Sequence, residues 1–331
     1  MTATETAGGA SPVDFETYGY YGQQLGLDGD DARRDFKRPA YPFQDRVTAD
    51  GSSGYPAIPG RYHLYISWAC PWAQRSAIVR KLKRLEDVVT LSAVDPIRDG
   101  RGWAFRQGPG HTLDPISGFT LLRDAYEATQ PGYDGHISVP VLWDTTTKGI
   151  VSNNFPDITI DLATQFEEWA DTSVDLYPHH LRPEIDAINA FVYEHINDGV
   201  YRTGFAPTQR AYEQALAAVF EGLDEMEQRL GSRRFLLGDH ITEADIRLWV
   251  TLARFDAVYY SHFKCNLRRL TDYPNLWGYA RELYALPAFR ETTNFDHIKR
   301  HYYGTHLHLN PTRLVPVGPL LDWEAPHHRG N

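Results

Sequence analysis

The sequence predicts an α/β domain followed by an all-helical domain. Short apolar runs at His63 to Trp68, Val88 to Ala93 and Ser138 to Asp144 have strand length and are bounded by turn-forming residues. The first is followed by Ala73, Ala77, Ile78, Leu82 and Leu85, which share one face at helical spacing. From about Trp169 onward only helical stripes recur.

At 331 residues the chain is long enough for two domains with ample core. Its net charge of −10 argues against nucleic acid as a main partner. No apolar run approaches membrane-spanning length, so no membrane partner is expected. The N-terminus, with Glu5 and Asp14 and no apolar core, does not read as a signal peptide. Two cysteines make no disulfide framework, which points to a reducing cytoplasm. No metal-ligand spacing is present: His179-His180 and His327-His328 are adjacent, and neighbours do not share a helical face.

Residues 1–60 are rich in Gly, Asp, Pro and Tyr and read as an N-terminal extension, with the aromatic and basic run Phe36 to Phe43 suited to docking in a groove. The α/β domain is expected over 61–167. Strand, helix and strand with short connections make a parallel, right-handed βαβ unit. The stretch Asp95 to His136 is dense in Gly, Asp and Pro and reads as a long irregular loop, of the kind that is usually functional; its Trp103 and Phe105 are placed to wall a site or to pack. Pro140 bends or starts the third strand, and a cis Val139-Pro140 bond would free the Val139 backbone for a ligand. Lys148 to Val151 forms a fourth strand, and Ser152 to Phe166 a helix with Pro156 in its first turn.

The helical domain is expected over 168–331. Ile185, Ile188, Val192 and Ile196 form one stripe, and Tyr212, Leu216, Val219, Phe220, Leu223, Met226 and Leu230 a second, closed by Gly231. Thr242 and Asp245 are spaced as a capping box, which gives Asp245 a structural role. A further helix follows Pro274, and the tail from His301 reads as irregular.

The chemistry centres on Ser67-Trp68-Ala69-Cys70-Pro71-Trp72-Ala73. Cys70 falls at a strand-to-helix turn with Pro71 at the first helical position. Free backbone N–H groups and the helix dipole there favour thiolate, the nucleophilic form. Arg75 adds charge to the same helix, and Arg80, Lys81, Lys83 and Arg84 read as a solvated face. Ala73 stands where a Cys-x-x-Cys motif would carry its resolving cysteine, and Cys265 lies far off in a predicted helical region. A mixed disulfide on Cys70 therefore needs an outside thiol, so a small thiol is expected as co-substrate and no bound cofactor.

Together Cys70-Pro71-Trp72-Ala73, Ser138-Val139-Pro140-Val141-Leu142-Trp143-Asp144, Ile298-Lys299-Arg300-His301-Tyr302-Tyr303-Gly304, Asn310-Pro311-Thr312 and Val315-Pro316-Val317-Gly318-Pro319 resemble the Xi-class glutathione transferases, the glutathionyl-hydroquinone reductases. The resemblance runs from about residue 35 to 320. It implies a thioredoxin-like N-terminal domain, an all-α C-terminal bundle and a homodimer. It also implies a thiol–quinone conjugate as substrate, attacked at sulfur by Cys70. On the same ground Tyr201 and either Tyr302 or Tyr303 serve the quinone. Trp103, Val139 and Pro140 then serve the thiol, with Asn153 and Asn154 where the family has Ser-Asn-Glu-Ser.

The chain departs from that motif with Ser152-Asn153-Asn154-Phe155-Pro156. Asn154 lacks the charge for an ammonium group, Phe155 lacks a hydroxyl and Pro156 lacks an N–H, which weakens a γ-glutamyl cradle at the helix start. A thiol without that end, such as mycothiol, is the expected alternative to glutathione. Two other functions share this sequence: a broad thioltransferase or dehydroascorbate-type reductase using Cys70 alone, and a non-catalytic ligand-binding or scaffold protein on the same fold.

Overall fold

A computed structural model describes residues 8–21, 36 and 38–329; the rest of the expected N-terminal extension lies outside the described residues. A short helix, α1 (Phe15–Tyr18), is capped by Asp14, whose carboxylate accepts from the Glu16 and Thr17 amides. It docks beside the loop after β2 through Asp14 N to Asp99 (3.2 Å) and Gly100 N to Gly19 O (2.9 Å). A Cβ at Gly100 would sit 1.8 Å from the Tyr18 carbonyl oxygen, so this approach requires glycine.

The α/β part has strands β1 (Tyr62–Ile66), β2 (Val89–Ala93), β3 (Val141–Asp144) and β4 (Gly149–Ser152) in the order β2-β1-β3-β4. β1 runs parallel to β2 with Leu64 opposite Leu91, and antiparallel to β3 with Leu64 opposite Leu142. Every residue of β1 is buried, as a central strand covered on both faces requires. Helices α2 (Pro71–Leu82) and α4 (Phe155–Thr164) pack on each other, and α3 (Leu122–Thr129) lies against β4.

Helices then follow alone: α5 (Arg182–Val192), α6 (Gly199–Gly204), α7 (Gln209–Leu230), α8 (Glu243–Arg254), α9 (Pro274–Tyr284), α10 (Pro287–Arg290) and α11 (Phe295–Thr305). Single π turns extend α5 over Tyr193–Asn197 and α8 over Phe255–Tyr259. Every residue of α8 but Arg247 is buried, and it touches α2, α5 and α9, so it ties the two parts together.

Several expectations need correction. The stretch Asp95 to His136 is not wholly irregular, because α3 lies inside it. Asp124 starts that helix by accepting from the Leu121 and Thr120 amides (2.9 and 3.1 Å), and Leu122, Ala125 and Tyr126 form its buried face. The chain past His301 is not irregular at once, since α11 continues to Thr305. Its buried side is His297, Ile298, His301, Tyr302 and Thr305, an amphipathic stripe written in His and Tyr instead of aliphatic residues. The basic run on α2 is not a solvated face: Lys83 is buried and donates to Val174 O (2.8 Å), Arg80 caps the carbonyls of Val89 and Glu86, and Lys81 pairs with Glu291. Only Arg84 is largely solvent-exposed. Cys265 is buried but lies in a loop, not a helix.

The Thr242–Asp245 capping box is present. Asp245 accepts from Thr242 N (2.8 Å), Thr242 Oγ (3.0 Å), Leu236 N (2.9 Å) and the Tyr279 hydroxyl (2.8 Å) while fully buried. Asp245→Ala should therefore cost about 3 kcal/mol, since each buried donor left unsatisfied costs about 1–3 kcal/mol. Urea denaturation measures this. A loss below about 1 kcal/mol, the worth of an ordinary exposed cap, would show that α8 does not depend on this carboxylate.

Candidate active site

The site is built where the loop after β1 meets the start of α2. Cys70 is the N-cap of α2, with extended backbone (φ −79°, ψ 119°), Pro71 following, and the first helical bond running from Gln74 N to Cys70 O at 3.0 Å. Its sulfur lies 3.5 Å from the Val139 carbonyl oxygen, across a cis Val139–Pro140 peptide. β3 begins only at Val141, so Pro140 lies just outside the ladder, where it needs no N–H.

A buried arginine that the sequence did not single out holds this loop. Arg254, the last residue of α8, donates to Ala69 O (3.0 Å), Trp68 O (3.0 Å), Val250 O (2.7 Å) and Gln74 Oε1 (2.6 Å). It has no ion-pair partner among the described residues, so carbonyl dipoles alone balance its charge beside the thiol. No spacing pattern marks such a residue. The one available signal is a charged residue closing the mostly apolar run Leu248–Ala253 at the end of α8.

The cavity at Cys70 brings Trp103, Val139, Tyr201 and Tyr302 together with the thiol. Trp103 stacks on His301, with ring centres 5.0 Å apart and planes at 18°. Tyr201 and Tyr302 share a 2.5 Å hydrogen bond, and Tyr259 reaches Tyr302 at 3.0 Å, giving a chain of three phenols. Tyr303 does not line the cavity. Its hydroxyl is held by Ser261 and the Ala257 carbonyl, so of the two candidates Tyr302 is the one that faces the site. Phe105 packs in the core against Tyr65. Asn153 is buried and turned inward, accepting from Phe43 N and donating to Tyr126 and Ser138; Asn154 donates to Asp157 at 2.6 Å, and neither lines the cavity.

The N-terminal segment covers the thiol. Phe36, Arg38, Pro39 and Tyr41 line the cavity, and Arg38 is pinned by Asp198 at 2.7 Å. Its guanidinium lies over the rings of Trp72 (4.4 Å) and Tyr201 (4.8 Å). The groove-docking expected of Phe36 to Phe43 is met here. What remains open is about 110 Å³, well below the roughly 300 Å³ at which small-molecule sites begin.

Enclosure sets the protonation states. Burial pushes the Cys70 thiol above its ordinary value; the Ala73 and Trp72 amides, Arg254 and Arg38 pull it back without overcoming that push. The helix start thus favours thiolate as expected, but desolvation outweighs it in the covered site. Burial also holds Tyr201 and Tyr302 far above, and His301 and His306 far below, their usual ranges, and lowers His136 to about 4. At neutral pH the phenols are protonated and the imidazoles neutral. No Asp or Glu among the described residues lines the cavity, where the charged groups are the guanidiniums of Arg38 and Arg98.

Alkylation of Cys70 by iodoacetamide should therefore rise with pH about a midpoint above the ordinary thiol value of roughly 8.5. Cys70→Ala, which keeps only the buried Cys265, supplies the blank. A midpoint below about 7, where reactive thiolates titrate, would mean that the helix start and Arg254 overcome burial.

With this geometry established, comparison places the chain among known proteins. Residues 209–282 match the model of the glutathione S-transferase C-terminal domain. Glutathionyl-hydroquinone reductase YqjG of Escherichia coli is 45% identical over 301 residues, 89% of this chain and 92% of its own. Its glutathione-bound structure superposes with a TM-score of 0.85, covering 87% of this chain and 96% of that one. Glutathionyl-hydroquinone reductase PcpF of Sphingobium chlorophenolicum is 48% identical over 267 residues, 81% of this chain and 85% of its own. The glutathione transferase Xi of Phanerochaete chrysosporium superposes with a TM-score of 0.83 at 46% identity, covering 86% and 98% of the two chains. The helix start with Cys70, the cis Val139–Pro140 bond beside it and the helical half with its buried tyrosines thus belong to a chain of the glutathionyl-hydroquinone reductase family, the Xi class of glutathione transferases.

Proposed function

We propose that this chain is a cysteine-dependent reductase that removes a low-molecular-weight thiol from thiol-conjugated hydroquinones. The observation that carries the reading is the convergence of one helix-start thiol and a hydrogen-bonded pair of protonated phenols on a single small cavity. The names of the E. coli and S. chlorophenolicum relatives support it.

Each part has a chemical task. The Cys70 thiolate attacks the thioether sulfur of the conjugate. The ring carbon that bears sulfur first takes a proton, giving the keto tautomer; a sulfur–sulfur bond then forms as the carbon–sulfur bond breaks, its electron pair restores the aromatic ring and moves the carbonyl pair onto the ring oxygen. That oxygen takes a proton and hydroquinone leaves. An aryl carbon is a poor leaving group, so the charge it sends to oxygen needs hydrogen-bond donors already in place. Tyr201 and Tyr302 supply them. A second thiolate then attacks the thiol-derived sulfur of the mixed disulfide, which leaves as a symmetric disulfide and restores Cys70. Trp103 and the Val139 backbone hold the thiol part.

For the thiol itself we propose one without a γ-glutamyl end, with mycothiol as the leading candidate. Phe155 is packed on Trp72 (ring centres 4.5 Å apart) and edge-on to Tyr41 (5.4 Å), so a ring fills the place where a γ-glutamyl carboxylate would need donors. Pro156 removes an amide from the same helix start, and the Asn154 side chain is engaged with Asp157. The reading extends to a homodimer in a reducing cytoplasm, with the α/β domain over 61–167 and the helical domain over 168–331.

Intact-mass measurement after incubation with menadiol conjugates of glutathione and of mycothiol tests this. A Cys70 adduct with release of menadiol is expected from the mycothiol conjugate and absent in Cys70→Ala. An adduct from the glutathione conjugate alone would overturn the thiol assignment. No adduct from either would remove the reductase reading. Tyr201→Phe and Tyr302→Phe should each lower kcat on thioether conjugates by about 100-fold, the scale of a lost proton donor, while exchange with a simple disulfide changes little. Equal loss on both substrates would favour a broad thioltransferase.

A further inference from the structure

Of the two guanidiniums in the cavity, one has no counter-charge. Arg98, in the loop after β2, is 7% exposed. Its Cζ lies 3.6 Å from the centre of the Tyr21 ring and 4.2 Å from that of Trp103. Its Nε has no hydrogen-bond partner, and no carboxylate pairs with it among the described residues. Its neighbours in the same loop have carboxylate partners: Arg101 holds Asp99 at 2.7 Å, and Arg106 holds Asp95 at 3.1 Å and Asp99 at 3.8 Å. Across the cavity Arg38 has Asp198. Arg98 therefore projects an unbalanced positive charge toward Cys70 from among two aromatic rings.

Such a group is costly unless a ligand completes it. A buried cation without a partner pays its desolvation in full, and the low local dielectric that causes the cost also strengthens its attraction for an incoming anion. The surrounding groups supply none. Tyr21 shares its hydroxyl with His136 at 3.0 Å, and burial keeps that imidazole neutral, as it does His301. The forked, planar donor set of a guanidinium suits an oxyanion.

We propose that Arg98 receives an anionic oxygen of the bound conjugate and so acts as a specificity residue of this site. The proposal rests on the reductase reading. The oxygen has two sources: a carboxylate of the thiol part, present on arrival, or the ring oxygen that gains charge as the carbon–sulfur bond breaks.

Steady-state kinetics of Arg98→Met and Arg98→Lys with menadiol conjugates of glutathione and of mycothiol separate them. A carboxylate source raises KM for the glutathione conjugate about 10-fold or more, the effect of one lost charged hydrogen bond, and leaves the carboxylate-free mycothiol conjugate unchanged. A ring-oxygen source lowers kcat by a similar factor on every conjugate turned over, most for the least acidic quinols. In both cases Arg98→Lys keeps part of what Arg98→Met loses. If kcat and KM of Arg98→Met stay within about twofold on all conjugates, or Arg98→Lys is no better than Arg98→Met, the assignment fails while the reductase reading stands. Should Arg98→Met not fold, Arg98→Gln, which keeps donors but no charge, carries the same comparison. Absence of turnover by the unchanged protein would overturn the reductase reading and this assignment together.

Discussion

The junction between Arg254 and the Trp68–Ala69 carbonyls is the contact on which the site depends. A helix of the second half ends in a buried cation, and among the described residues the acceptors it bonds outside α8 belong to α2 and the loop that delivers Cys70. The two halves cannot separate without leaving a guanidinium and several carbonyls unsatisfied in a dry interior, so the thiol's position is set by the interdomain packing as much as by its own helix. Gln74 extends the tie, passing from Arg254 to the Thr292 carbonyl and the Thr293 hydroxyl just before α11. The helix that carries Tyr302 is thereby registered against the helix that carries Cys70.

That same closeness explains why the resting thiol is not strongly acidic. Backbone amides at the start of α2 and the nearby guanidiniums all favour thiolate. The rings and backbone of the Phe36–Tyr41 segment exclude water, and desolvation acts the other way. The two influences differ in what they need: the α2 amides and Arg254 are fixed by the fold, whereas Arg38 and part of the exclusion of water come from a segment held by Arg38 through one ion pair and two ring contacts. A half-exposed pair contributes modestly and a buried one more, and this pair is mostly buried. Displacement of the segment would carry Arg38 away with it and leave the α2 amides and Arg254 in place beside the thiol.

Much of this was legible in the chain and some was not, for physical reasons. The four strands, the Cys70 helix start with Pro71, the cis proline and the Thr242–Asp245 box follow from local rules about apolar periodicity, capping and proline, and these act within a few residues. α3 was hidden because its two turns sit between segments dense in Gly, Asp and Pro. α11 was hidden because its buried side is made of His and Tyr, which count as polar until their ring nitrogens and hydroxyls find partners: His301 Nδ1 donates to Pro96 O at 2.7 Å, and His297 Nε2 to Pro109 O at 2.7 Å. Lys83 and Arg80 looked like solvent-facing charges because backbone carbonyls complete them, Val174 O far along the chain for Lys83 and Val89 O and Glu86 O in the next turn and strand for Arg80. Arg254, Arg98 and Tyr259 were not legible because their roles depend on which distant elements the fold brings beside them.

The departure at the start of α4 and the free charge of Arg98 bear on one question, the chemical character of what the cavity admits. Where an ammonium and a carboxylate would be held, the chain places a phenyl ring against Trp72 and turns the adjacent amides toward its own side chains. On the Trp103 side it leaves a guanidinium unmatched. On the proposed reading, charge recognition would lie in the loop after β2 and not at the helix start. A binding site that exchanges a network of small polar donors for one buried cation becomes less particular about the shape of its ligand and more particular about where that ligand carries negative charge. In a reaction that sends an electron pair onto a ring oxygen, a cation placed for that oxygen would act in the transition state, whereas one placed for a carboxylate would act equally in binding and in reaction. Only the first arrangement raises the chemical rate, and the distinction lies in which end of the conjugate meets Arg98.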